Sequence, residues 1–76
     1  MKIEEAKAGY EASTLVSIDL IPNTSIKGEW VILIKDREGK SYFLINQNED
    51  ILSFRSINDA VETMQSIGFR RAKLFF

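Results

Sequence analysis

The chain has 76 residues, no cysteine, no histidine, and ten Lys plus Arg set against eleven Asp plus Glu, with a 45% hydrophobic composition. Disulfides are excluded, and so is the usual structural zinc site, whose ligand types are missing. The formal net charge of −1 gives no general attraction to nucleic acid or to an anionic membrane, and the apolar content excludes a disordered tail.

The length predicts one small domain over 1–76. A chain of this size buries only about 60% of its unfolded surface, so a generous core or a partner subunit must supply stability. Met1-Lys2 leads into Glu4-Glu5 and not into an apolar run, which is unlike a secretion signal. No stretch approaches the roughly 20 apolar residues of a membrane span. A cytoplasmic protein without membrane contact is the expectation, and the glycosylation sequon Asn23-Thr24-Ser25 is read as chance.

In chain order, Ile3, Ala6 and Tyr10 have helical spacing, so residues 1–12 form either a short helix from about Lys2 to Lys7, ended by Gly9, or a frayed terminus. Thr14 to Ile21 alternates as a half-buried strand: Val16, Ile18 and Leu20 against Ser17 and Asp19. Pro22 stops it. Asn23 to Gly28 is a polar loop. Glu29 to Lys35 is the strongest strand and is apolar on both faces, with Trp30, Ile32 and Ile34 opposite Val31 and Leu33. Asp36-Arg37-Glu38-Gly39 predicts a type I turn with a bulge at Gly39. Lys40 to Ile45 is the partner strand, with Tyr42 and Leu44 on one face and Ser41, Phe43 and Ile45 on the other. After the polar turn Asn46–Asp50, Ile51 to Phe54 predicts a short third strand of the meander.

Ser56 to Ile67 is a helix. Ser56 is the N-cap, Asp59 lies in the first turn, and Ile57, Ala60, Val61, Met64 and Ile67 form the apolar stripe. Gly68 and Phe69 suit a Schellman ending. Arg70 to Phe76 is a last strand, with Ala72, Leu74 and Phe76 on one side. The fold class is α+β: a mostly antiparallel sheet in the order β-β-β-β-α-β, one helix on a face and a possible short N-terminal helix.

One helix covers one face, yet the hairpin is apolar on two. Each large side chain left in water forgoes about 1.5–3 kcal/mol. The sequence therefore predicts association, first of all as a homodimer, with a different protein partner as the alternative. The expected contact residues are Trp30, Ile32, Ile34, Tyr42, Leu44, Phe75 and Phe76. In a monomer, residues 1–12 must instead curl over the second face.

Catalysis has little to work with. The carboxylate pairs Glu4-Glu5, Asp36/Glu38 and Glu49-Asp50 fall in a terminus and two turns, where carboxylates are ordinary solvated groups. Asn46–Asp50 lacks the ligand spacing of a calcium loop. No histidine is present to activate a serine. A non-enzymatic protein without metal or cofactor is expected. Two basic clusters, Lys35, Arg37 and Lys40 at the hairpin tip and Arg70, Arg71 and Lys73 on the last strand, form the candidate nucleic-acid surface; the ordinary reading of both is solvated edge charge.

Phe54-Arg55-Ser56-Ile57-Asn58-Asp59-Ala60, following a meander that begins at Trp30, resembles the arm-type DNA-binding domains of tyrosine recombinases. There a meander leads to Phe-x-Ser/Thr-x-x-Glu/Asp-Ala and a helix. The likeness covers about Glu29 to Ile67. It implies a DNA-binding module using the 30–45 hairpin face, with Trp30, Lys35, Arg37 and Lys40 toward DNA. Those domains are strongly basic, which this chain is not, and they lack a strand such as Arg70–Phe76. The outline is also similar to small accessory proteins of plasmids and phages, which implies an accessory or inhibitory role for a mobile element.

Overall fold

The computed structural model describes residues 1–76. It is the expected α+β domain, a mostly antiparallel four-stranded sheet, with two helices where the sequence assured one. In chain order the elements are α1 (Ile3–Glu11), β1 (Leu15–Pro22), β2 (Trp30–Asp36), β3 (Ser41–Phe43), α2 (Ile57–Ile67) and β4 (Lys73–Leu74). The sheet order is β3-β2-β1-β4; β1 and β2 pair antiparallel, as do β2 and β3, and β4 lies parallel to β1. No helix is long and apolar enough to cross a membrane.

The N-terminal helix is longer than expected. Glu5 Oε1 accepts from the Lys2 N–H and so satisfies one of the free amides of the first turn. Gly9 does not end the helix. Its carbonyl accepts from the Thr14 N–H and hydroxyl, and a Cβ there would sit 3.1 Å from Leu15 Cγ. Glycine is present so that the helix can approach β1 closely. The ending falls at Ser13, whose φ of 59° allows Thr14 N–H to reach Gly9 O and Ser13 N–H to reach Tyr10 O.

In β1 a register shift between Leu15 and Ser17 changes the expected pattern. The extra residue, Val16, is 54% exposed, and Leu15 takes the core position predicted for Val16. Pro22 is the last residue of β1 and lies opposite Trp30, whose N–H and C=O both bond Phe54. Its missing donor therefore costs nothing. The predicted strand over 51–54 makes only single bridges, Ile51 to Ile45 and Phe54 to Trp30.

The later helix follows its sequence signals. Ser56 Oγ accepts from Asn58 N–H at 3.1 Å and Asp59 N–H at 3.4 Å. Gly68, at φ 126°, bonds Gln65 O, and Phe69 N–H bonds Met64 O, which closes the Schellman ending. Both helices lie on one side of the sheet. Ala6 of α1 and Ala60, Met64 and Ile67 of α2 share one buried cluster with Ile18, Leu20, Ile32, Ile34 and Leu44. The Tyr10 and Phe69 rings, 4.8 Å between centroids, join the helix ends.

Candidate functional site: the open face of the sheet

The placement of α1 decides which surface is available. It packs beside α2, so nothing from residues 1–12 lies over the second face of the sheet, and the covering segment required of a monomer is not there. The helix-covered face is the one carrying Trp30, Ile32, Ile34, Tyr42 and Leu44. The contact set expected from sequence is thus corrected. Ile32, Ile34 and Leu44 are fully buried, Trp30 packs against the same core, and Tyr42 shares their face by register with Ile34. Ile32, Ile34 and Leu44 therefore present no surface, while Trp30 and Tyr42 are half-buried on the helix-covered side. Of that set only Phe75 and Phe76 are exposed, and Phe76 meets Trp30 edge to face at 6.2 Å.

The open face can be written out from the register. Ile21 pairs with Val31, and Phe75 comes next to Ile21, because its N–H bonds Leu20 O just beyond the Leu20–Leu74 pair. The next row is Phe43, Leu33, Asp19 and Lys73, and the row toward the hairpin tip is Ser41, Lys35 and Ser17. The face is therefore apolar at one end and charged at the other. Val31, 5% exposed and outside the main core cluster, is the floor of a groove of about 360 Å³ walled by Ile21, Phe43, Ile51 and the 22–25 loop. Phe43, Ile51 and Phe75 are 41%, 49% and 47% exposed.

The loop that rims the groove is held in place. Asn23 Oδ1 accepts from the N–H groups of Ser25 and Ile26, its amide donates to Ser53 Oγ at 2.9 Å, and its own N–H bonds Glu29 O. The groove is thus built from a strand floor and a fixed rim. Sequence alternation had already placed Val31, Leu33, Phe43 and Ile45 on one face but gave no reason to prefer it. Ile21 shares that face with Ser17 and Asp19 and could have been found by the same alternation, whereas nothing local marks Ile51.

The basic residues gather toward one end. Lys35 stands on the open face, and Arg37 and Lys40 occupy the hairpin tip. Because β4 runs parallel to β1, whose Leu15 pairs with Asp36, Arg70 and Arg71 precede Lys73 toward that same end. Trp30 stands on the opposite face from Lys35, so the DNA-facing set implied by the recombinase resemblance is divided between two faces. Only Lys40, 3.8 Å from Glu38, and Arg55, 3.5 Å from Glu29, have a carboxylate within 4 Å. The helices carry the opposite charge: Glu4, Glu5, Glu11, Asp59 and Glu62, with Lys7 the one cation.

At the tip, Asp36 organises the turn. Its Oδ1 accepts from Glu38 N–H and Lys40 N–H, both at 2.9 Å, and its Oδ2 accepts from the Tyr42 hydroxyl at 3.1 Å. Loss of hydration pushes the carboxyl up. Hydrogen bonds from Lys40 N–H, the Tyr42 hydroxyl and Glu38 N–H outweigh it, helped by the Lys40 charge, and hold Asp36 below its ordinary value. Tyr42 is raised by its bond to Asp36 first, then by lost hydration and the nearby carboxylates. This pair is a turn-holding device on a strand edge. Elsewhere, no three acidic side chains converge into a possible cation site.

Comparison with protein families, with curated proteins and with solved structures finds no match to this chain.

Proposed function

We propose that this protein is a non-enzymatic association module that works through the open face of its sheet. The observation behind this reading is that both helices share one face, leaving Ile21, Val31, Leu33, Phe43, Ile51 and Phe75 on the other. An apolar surface of this kind, with polar residues at its border, marks interaction sites in soluble proteins. Self-association is its simplest use. Two copies meeting through the apolar end of the face, related by a two-fold axis, would cover the groove on each. Solution mass by light scattering over a wide concentration range tests this. A mass that rises from one chain to two with concentration supports self-association; a single-chain mass throughout removes it and leaves the face to a different protein.

A DNA-binding module is the second reading. It rests on the six cations Lys35, Arg37, Lys40, Arg70, Arg71 and Lys73 lying toward one end of the sheet. Asp36 and Glu38 stand among them and reduce the field. A phosphate-contacting protein binds most tightly at low ionic strength, so no binding to a duplex there ends this reading.

A further inference from the structure

We infer that the partner of the open face is an acidic amphipathic helix of another protein, with an apolar stripe bordered on one side by carboxylates. This rests on the association reading above and names the chemistry of the occupant. The first observation is the order of the rows. Apolar side chains (Ile21, Val31, Phe75) give way to a mixed row (Phe43, Leu33, Asp19, Lys73) and then to Lys35 between Ser17 and Ser41. Arg71 borders the same groove as Ser17 and Lys73. The second is the unbalanced charge. Lys35, Arg71 and Lys73 are exposed with no carboxylate within 4 Å, and Asp19 is the one acid in these rows. A docked element that fills the apolar end and reaches the charged end finds cations there, so it gains by bringing carboxylates.

A second copy brings the wrong charges. Placed face to face about a two-fold axis along the strands, it sets Lys35, Arg71 and Lys73 against their own kind; about an axis across the strands, it sets them against the apolar Ile21, Val31 and Phe75. A single-stranded nucleic acid fits the charge but not the patch. Bases stack on aromatic faces, whereas the floor here is aliphatic and the two phenylalanines stand on the outer strands. A helix suits the dimensions. The molecule measures 34 × 26 × 22 Å, and the shortest of these is about the thickness of one sheet plus one helix layer. At 1.5 Å per residue, a helix of about 20 residues matches the longest dimension of the molecule.

The test uses two labelled synthetic helices sharing one leucine stripe, one flanked by glutamates and the other by lysines, with a single-stranded oligonucleotide as the third probe. Fluorescence anisotropy is read at low and at moderate salt. The glutamate helix should bind about tenfold or more tighter than the lysine helix, with the difference narrowing as salt rises. Lys35→Glu with Lys73→Glu should reverse that preference, and Phe43→Glu should abolish binding of both helices. Equal affinities, preference for the lysine helix, no helix binding, or tighter capture of the oligonucleotide each overturns the acidic partner. If Phe43→Glu abolishes binding and the lysine reversals change nothing, the open face stands and its acidic occupant falls. If Phe43→Glu has no effect on binding, the open face itself falls.

Discussion

Glu49 and Ser13 occupy left-handed backbone, at φ 66° and 59°. Side chains are disfavoured there and glycine is not. The Asn46–Asp50 turn repeats the bonding of the Asp36–Lys40 turn: Asn46 Oδ1 accepts from Asn48 N–H and Asp50 N–H, as Asp36 Oδ1 does from Glu38 N–H and Lys40 N–H. In the second turn the left-handed position is held by Gly39, and in the first by Glu49. Glu49→Gly and Ser13→Gly should therefore each stabilise the domain by about 0.5–1 kcal/mol, read as a rise in Tm. Asp36 gives a pH dependence whose sign is fixed. Its carboxyl is below its ordinary value in the fold, so the stabilisation is present above the unfolded-state value near 3.9 and is lost as pH falls through the lower folded value. Asp36→Asn should flatten the acid limb of stability against pH, measured by denaturant unfolding below about pH 4. Tyr42 acts at the other extreme: its contribution is full below the unfolded-state value near 10 and is lost as pH rises through the higher folded value.

At the scale of elements, the tightest joint is between the ends of the two helices. A Cβ on Gly68 would stand 2.6 Å from Tyr10 Cδ1, and the φ of 126° is itself closed to other residues. Gly68→Ala should cost more than about 2 kcal/mol in thermal or denaturant unfolding, because it combines backbone strain with a clash against a packed ring. Adding Tyr10→Ala should relieve the clash but not the strain, so the double variant recovers part of the loss and gives up the Tyr10–Phe69 contact. The final strand is the weakest element. β4 holds two pairs to β1, and every residue from Arg70 to Phe76 is exposed. Its attachment is parallel and short, and the crossover through α2 brings it to that edge.

At the scale of the molecule, two layers are built from unequal faces. One side buries Ile18, Leu20, Ile32, Ile34 and Leu44 beneath two helices, and the other has Val31 as its only buried residue. The helix layer is acidic and the hairpin end of the sheet is basic, which a net charge near zero conceals. Phe43→Glu tests the division between stability and function. Phe43 is 41% exposed, so the variant should unfold within about 1.5 kcal/mol of the parent, and any rise in mass with concentration that the parent shows by light scattering should be absent from the variant. A large loss of stability would mean that Phe43 belongs to the fold and not to a contact surface.

The sequence by itself determined the class and most of the local structure. Ser56, Gly68 and the stripe through Ala60, Met64 and Ile67 specify α2 by short-range hydrogen bonding and helical spacing. Asp36 and Gly39 specify the hairpin turn, and alternation divides the side chains of β2 and β3 into two sets. These features depend on neighbours a few residues apart, so they are legible in a string. What only the tertiary structure decided depends on residues far apart in the chain. Alternation is symmetric, and it does not say which set receives the helices; the joint packing of α1 and α2 on the Ile32 side made that choice and turned Ile32, Ile34 and Leu44 from expected contact residues into core. The bulge that exchanged Val16 for Leu15 answers to the register with β2, and Gly9 answers to the approach of Leu15 and not to the end of a helix. The groove joins Ile21, Val31, Phe43 and Ile51 from four separate stretches, and no local pattern could assemble it.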